Sequence, residues 1–310
     1  MSDVSIIIVN YNTKHLLDAC VESVVQQTRT ARFEVIVVDN ASVDGSIEML
    51  QRKHPAVHVV VNDSNRGFAA ANNQGIARAT GRYVLLLNSD TIILDGAIDT
   101  LVRLMDEHRD IGIAGCLQLN PDMTLQPSCR SFPSLWNIIT EATFLYKLLP
   151  STRLFGSYYL SFFRHDHMRE IDVVMGSFMF IRREVLNDIQ GFDEDYFFYT
   201  EETDLCFRAR QRGHRSFFCP QARIIHIGGG SGSTTLWSFA HLHRSQYQFI
   251  NKHFRGAENV AMRFMKRFGI LIRIPVYLLA SLLTWNGKTF RKAVVHVRLA
   301  AMNFNEPIRL

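Results

Sequence analysis

Five cysteines, Cys20, Cys116, Cys129, Cys206 and Cys219, are spread over 310 residues with no CxxC pair among them. That scatter excludes a zinc site of the usual spacing and a disulfide framework, and it suits a reducing compartment. Long apolar runs are missing too. Ile274 to Trp285 is the longest, short of the about 20 residues that a bilayer-crossing helix needs. The N-terminus has no basic segment followed by an apolar one, so no signal peptide is expected. Acidic residues are scarce at the other end. From Arg255 onward, Arg255, Arg263, Lys266, Arg267, Arg273, Lys288, Arg291, Lys292, Arg298 and Arg309 face only Glu258 and Glu306. A one-sided basic tail calls for an anionic partner, either membrane lipid or nucleic acid. No nucleic-acid-binding motif is present and the aromatics follow no basic sheet pattern, so nucleic acid is not expected.

What is there reads as an ordinary globular chain, 47% hydrophobic and 20% charged, large enough for one big domain or two small ones. Leu85-Leu86-Leu87 runs straight into Asn88-Ser89-Asp90-Thr91. Such an apolar run reads as a strand buried on both faces of a parallel sheet. A carboxylate at its carboxyl end stands where open α/β sheets bind ligands, so Asp90 is placed to hold a hard divalent cation. A turn after a strand would also favour an Asp. Two more β-branched runs end in the same way: Val4–Val9 stops at Asn10, and Phe33–Val38 at Asp39. Val57–Val61 is a further strand, and helices are expected near 14–27, from Ser42-Val43-Asp44-Gly45-Ser46 to about Lys53, and near 96–107. Between them, Asn65-Arg66-Gly67-Phe68 leads into a stretch rich in small residues (69–77), which allows close approach to a sheet or a ligand. Strands alternating with helices at this spacing imply a doubly wound, mainly parallel sheet, and right-handed crossovers bring Asn10, Asp39 and Asp90 to one edge.

The stretch from Asn120 to Glu170 is aromatic and basic without clean periodicity; a helical insertion and a second packing layer both fit it. Asp172–Ile181 is a strand broken by Gly176-Ser177. The aromatic cluster Tyr196–Tyr199 precedes a helix opened by Thr200 and stopped by Gly213, with Glu201, Glu202 and Asp204 in its first turn. Acids there satisfy the helix dipole, which accounts for one or two of them but not for three beside four aromatics. His226 precedes Gly228-Gly229-Gly230-Ser231-Gly232-Ser233. A histidine beside a core strand is often structural, but glycine-run amides can cradle phosphate. The run lacks the Gly-Lys-Ser/Thr ending of a Walker loop. Helices over 236–255, 262–285 and 289–303 mix apolar and basic residues, as interfacial amphipathic helices do, or as a helical pair with a solvated basic face does.

Seven stretches in this order and spacing resemble the family-2 inverting glycosyltransferases of GT-A fold, and more narrowly their rhamnosyltransferase-like branch. They are Val4–Asn12, Val37–Ser46, Asn65–Gly75, Leu85–Thr91, Met175–Phe180, Gly191-Phe192-Asp193 and Glu201–Arg208, so the resemblance covers about residues 4 to 232. It implies a GT-A catalytic domain over 1–235, with a nucleotide-sugar half (1–119) and an acceptor half (120–235). The extension 236–310 is then helical, basic and membrane-associating. Asn10 and Asp39 would contact the nucleotide, and Asn65, Arg66, Gly67 and Asn72 would line the nucleotide-sugar pocket beside Asn88 and Ser89. Asp90 would be the last residue of the DxD metal motif, with His226 as a second ligand to Mg²⁺ or Mn²⁺ or as a diphosphate contact. The acidic helix start would carry the general base.

Two departures stand out. Asn88 replaces the first carboxylate of the metal motif, and Glu201-Glu202 replaces the usual Glu-Asp, so the base is Glu202, Glu201 or Asp204. The implied reaction moves a sugar, rhamnose from dTDP-rhamnose by resemblance, to a glycan or polyprenyl-diphosphate-linked acceptor for surface polysaccharide at the cytoplasmic face of the membrane. The rivals are a nucleotidyltransferase, for which Val4–Thr13 lacks a glycine- and lysine-rich triphosphate grip, and a non-catalytic nucleotide-sugar-binding scaffold.

Overall fold

The computed structural model describes residues 2–228, 236–285 and 287–306. The glycine run beyond Gly228 lies outside them. Along the chain come β1 (Val4–Asn10), α1 (Lys14–Gln27), β2 (Phe33–Asp39), α2 (Ser46–Lys53), β3 (His58–Val61), α3 (Phe68–Ile76) and β4 (Tyr83–Asn88). Then follow β5 (Thr91–Leu94), α4 (Ala97–Glu107), β6 (Ile111–Leu119), β7 (Leu125–Gln126), β8 (Cys129–Arg130), α5 (Leu135–Ala142) and α6 (Leu145–Leu148). The chain continues with β9 (Arg169–Ile171), β10 (Val173–Val174), β11 (Phe178–Arg182), α7 (Arg183–Ile189), α8 (Glu201–Gln211) and β12 (Arg215–His226). It closes with α9 (Leu236–His253), α10 (Gly256–Thr284) and α11 (Gly287–Ala301).

The sheet has ten strands, in the order β3-β2-β1-β4-β11-β6-β12-β5, with β7 added to β6 and β9 to β12. β3, β2, β1 and β4 are mutually parallel. Their runs of Val, Ile and Leu suit strands covered on both faces, and Ile6, Ile7, Ile8, Leu85 and Leu86 are fully buried. Each such side chain contributes roughly 1.5–3 kcal/mol by leaving water. β11 then enters antiparallel between β4 and β6. The small-residue stretch serves the sheet: Ala69, Ala71 and Gly75 of α3 are buried against it, and a Cβ on Gly75 would stand 2.4 Å from Ile7 Cγ2.

Three elements differ from the sequence reading. Thr91–Leu94 forms β5, begun right after Asp90, and it pairs antiparallel with the end of β12. The sequence suggests two short strands, Ser216–Cys219 and Ala222–Ile227, but Arg215–His226 is one strand with an irregular step between Cys219 and Arg223, around Pro220, which has no N–H for the ladder. The Gly176-Ser177 break is a full turn separating β10 from β11.

The chain divides into two compact units, residues 1–130 with 164–231 and residues 131–163 with 232–310. The aperiodic aromatic stretch therefore belongs largely with the C-terminal helices. There Ile138 of α5 packs with Ile250 of α9 and Met262 of α10, and Ala240, Tyr247, Ile270, Leu299 and Phe304 form a second small core. α10 is 29 residues long and passes, by length and composition alone, for a membrane-crossing helix. The run counted from Ile274 missed this because the helix continues N-terminally past Arg273. Most of its apolar stretch is exposed, with Leu283 at 83% and Trp285, just beyond its end, at 95%.

Candidate functional site

Parallel register sets the first group of side chains. Asn10 lies opposite Asp39, and Val9 opposite Asn88, so all three strand ends reach one edge. Asn10 and Asp39 are fully buried. Asn10 Nδ2 donates to Asp39 Oδ2 at 2.7 Å and to Ser42 Oγ at 3.0 Å, while the Ser42 amide donates to Asp39 Oδ1 at 2.8 Å. A carboxylate has about four acceptor positions, so Asp39 is held in place with capacity left for a ligand donor. Thr13 Oγ1 donates to Asn10 Oδ1 at 2.6 Å and lies 2.8 Å from Ser89 Oγ, tying the β1 end to the turn before Asp90.

The loop before α3 is built by Asn40, whose Nδ2 donates to Asn65 Oδ1 and to the Gly67 carbonyl. Gly67 has φ +82°, and a Cβ there would sit 2.5 Å from the Phe197 carbonyl oxygen. Only glycine suits that position, since both the backbone angle and the space exclude a side chain. Phe68 N donates to the same carbonyl at 3.0 Å, so this loop is fastened to the aromatic cluster before α8. Arg66 is exposed, with no side-chain partner among the described residues. Asn72 is buried, its amide donating to the Phe68 carbonyl one turn back.

Asp90 and His226 meet because β5 and the end of β12 pair, with His226 opposite Thr91. Asp90 Oδ1 lies 3.4 Å from His226 Nε2, and both side chains are largely buried. Gln126, the last residue of β7, places Oε1 2.7 Å from His226 Nδ1 and donates from Nε2 to the His226 carbonyl. A carbonyl oxygen can only accept, so Nδ1 carries a proton, and in the neutral ring Nε2 holds its lone pair on the Asp90 side. This is the donor set of a two-ligand cation site: one hard oxygen and one oriented imidazole. No group of three or more His, Cys, Asp or Glu suited to a metal exists among the described residues. Asp90 and His226 alone offer a cation two donors, one oxygen and one nitrogen.

The acids of α8 separate by environment. Asp204 is fully buried, accepting from Arg208 Nε at 2.6 Å and from the Tyr196 hydroxyl at 3.4 Å. Arg208 also donates to the Ile189 and Gly191 carbonyls. Glu201 is 5% exposed, and its Oε2 has no hydrogen-bond partner. Burial, then the charge of Glu202, pushes the Glu201 carboxyl well above the usual range. Glu202 is half-buried, and burial raises its carboxyl too, against a weaker pull from Arg130. A Cβ on Gly176 would lie 3.8 Å from Glu202 Cβ, and the Ser177 carbonyl accepts from Asn88 N at 3.0 Å. The turn between β10 and β11 thus links the start of α8 to the strand end that precedes Asp90.

Gln126 and Asn40 are the residues that sequence reasoning did not single out. Asn40 follows Asp39 directly and was within reach of the strand-end argument. Gln126 lies a hundred positions from His226, and no local pattern marks it.

The family model of glycosyl transferase family 2 matches residues 5–190. The chain belongs to glycosyl transferase family 2. Within the family it is rhamnosyltransferase-like. It is 27% identical over 264 residues to the N-acetylglucosaminyl-diphospho-decaprenol L-rhamnosyltransferase of Mycobacterium tuberculosis, covering 80% of this chain and 84% of that protein. It is 25% identical over 280 residues to the rhamnosyltransferase WbbL of Escherichia coli (strain K12), covering 86% and 94%. Among solved structures, the mannosyltransferase PcManGT of Pyrobaculum calidifontis, in complex with GDP-Man and Mn²⁺, matches with a TM-score of 0.58 at 16% identity, covering 96% of this chain and 85% of that one. That likeness speaks for the fold, which is GT-A. The matched region runs from β1 through α7, and α8 with its acids follows it directly.

Proposed function

We propose that the protein is a metal-dependent, inverting rhamnosyltransferase that takes its sugar from a nucleoside-diphosphate donor, dTDP-rhamnose, and passes it to a polyprenyl-diphosphate-linked glycan. The observation that carries this reading is the Asp90–His226 pair with Gln126 behind it, on the sheet edge shared with Asp39. The names of the rhamnosyltransferase relatives support the sugar and the lipid-linked acceptor.

Asp39 and Asn10 hold the nucleoside, with Ser42 and Thr13 fixing their side chains. Asn65, Gly67 and Asn72 shape the loop over the donor, and Arg66 is free to approach the phosphates. Asp90 and His226 would hold a Mg²⁺ or Mn²⁺ ion, which would supply charge neutralisation for the leaving diphosphate. Glu202 takes the proton of the acceptor hydroxyl. That oxygen forms a bond to the anomeric carbon as the bond from this carbon to the diphosphate oxygen breaks on the opposite face, which inverts the configuration. Asp204 positions α8 through Arg208 and touches no reacting atom.

The test is thermal stabilisation of the protein by a panel of nucleoside diphosphates with and without Mn²⁺. Ligand at a hundred times its Kd stabilises the native state by about 2.7 kcal/mol. A metal-dependent shift with dTDP, lost in Asp90→Ala, is expected. No shift with any nucleotide would sink the reading.

Membrane association at the cytoplasmic face belongs to the same proposal. Leu279, Leu282 and Leu283 are exposed on α10, and the exposed Phe290 and basic Lys288, Arg291 and Lys292 follow on α11. An apolar face with flanking cations suits an anionic bilayer surface. Each exposed leucine contributes about 1.5–3 kcal/mol when it enters lipid. Replacing all three by serine is expected to lower partition to anionic vesicles by at least about a hundredfold, without lowering Tm. Partition equal to that of the parent protein would refute the membrane reading.

A further inference from the structure

A cavity of about 260 Å³ lies within the C-terminal unit, walled by α5, α9, α10 and α11. Its charges do not balance. Lys266 Nζ donates to Glu141 Oε2 at 2.7 Å, and that is a complete pair. Arg273, two turns further along α10, donates only to backbone: Nη1 to the Gly269 carbonyl at 2.7 Å and Nη2 to the Glu141 carbonyl at 3.0 Å. Among the described residues no carboxylate pairs with it. Burial works against the Glu141 charge, but Lys266 and then Arg273 hold its pKa down to about 2, so the carboxylate is spent on Lys266. The lining is left with one surplus positive charge.

Two further groups face the same space without hydrogen-bond partners among the described residues. His243 and Gln246 stand three residues apart on α9, on one face of the helix. His243 Nδ1 and the Gln246 side-chain oxygen are both buried and make no hydrogen bond. A neutral imidazole can present a proton on either nitrogen, and an amide can present its NH₂ by a flip, so both can donate to an oxyanion. Burial, with Lys266 nearby, pushes the His243 imidazole down to about 3, so it adds donors but no charge. Buried polar atoms without partners are rare and costly. A surplus cation beside two of them, around an unfilled volume, is the inverse image of a small anion rich in acceptor oxygens. Tyr146, Tyr159 and Tyr277 complete the lining.

We infer that this cavity is a second ligand site, taking a phosphate monoester between Arg273 on one side and His243 and Gln246 on the other. A free phosphate or the headgroup of an anionic lipid offers the same chemistry; the lipid source alone rests on the membrane reading above.

The experiment uses the full chain carrying Asp90→Ala, without divalent metal, so that the sheet-edge site does not compete. Inorganic phosphate is titrated calorimetrically. In parallel, flotation compares phosphatidylcholine vesicles doped with phosphatidic acid against vesicles doped with the same charge of phosphatidylserine. Arg273→Gln and Gln246→Leu are the probes. Gln246→Leu fills the space with an apolar group and removes an unpartnered carbonyl, so its ligand-free Tm should equal or exceed that of the parent while binding weakens at least tenfold. A purely structural role would give the opposite pattern, lower Tm with binding intact. Phosphate binding lost in both variants identifies a soluble ligand. Selectivity for phosphatidic acid lost in both, without free-phosphate binding, identifies the lipid headgroup. Neither signal in the parent, or signals equal in the parent and both variants, overturns the inference. Retention on both vesicle types without selectivity, with no binding of free phosphate, would do so while leaving the membrane reading intact.

Discussion

Glu202→Gln is expected to lower kcat for sugar transfer by about a thousandfold while metal-dependent nucleotide binding stays unchanged. General-base assistance contributes about a hundred- to ten-thousand-fold, and an amide keeps the size of the carboxylate without its basicity. The two neighbouring acids have different fates. Both carboxyls are raised by burial, but Glu201 also carries the repulsion of Glu202 and has an oxygen with no hydrogen-bond partner. Glu202 therefore ionises first, and Glu201 stays protonated beside it. Since the ionised form of Glu202 does the work, activity is present above its raised pKa and falls as pH drops through it. The acid limb of the kcat/KM profile should lie above the ordinary carboxylate range. Glu201→Gln imitates a neutral acid and should retain most activity, with the acid limb essentially unmoved because Glu201 is already neutral when Glu202 ionises. Single-turnover rates across pH for the parent and both variants check this. A Glu202→Gln enzyme within tenfold of the parent would remove Glu202 from the base role.

Arg208→Met should destabilise the N-terminal unit by about 3–5 kcal/mol, the cost of a buried carboxylate that has lost its cation. Arg208 is the cation on the fully buried Asp204, and it also ties α8 to the Ile189 and Gly191 carbonyls. In a unit of this size that corresponds to a Tm lowered by roughly 10 °C. Asp204→Asn should cost much less, because an amide oxygen still accepts from Arg208. It also separates structure from chemistry. If Asp204 only positions α8, the Asn variant keeps its turnover per folded molecule. A folded Asp204→Asn protein without turnover would transfer the base role to Asp204.

The strand framework was legible because the parallel strands advertise themselves as continuous β-branched runs, and because each ends in a polar residue that the register then aligns. β5 was not, since Thr91–Leu94 begins immediately after a turn residue and its partner lies over a hundred positions away in β12. The continuity of β12 was hidden by Pro220, which breaks the pattern without breaking the strand. The Asp204–Arg208 pair was readable in principle, as a spacing of four on one helix face. Its consequence was not, because burial decides whether such a pair is solvated decoration or a fixed point. Residues 131–163 gave no period because their partners are α9 and α10, and nothing local encodes a contact made after another hundred residues of chain.

That last arrangement bears on how the gene can be cut. The C-terminal unit is sewn from two pieces of chain, and its Glu141–Lys266 bridge joins residues 125 positions apart. A graft that swaps everything after residue 235 between relatives would part that carboxylate from its cation and Ile138 from Met262. A transplantable module must therefore carry 131–163 along with the tail. Drift in one segment then has to be answered by drift in the other, so the two stretches are bound to evolve as one inherited unit although the catalytic sheet is threaded between them.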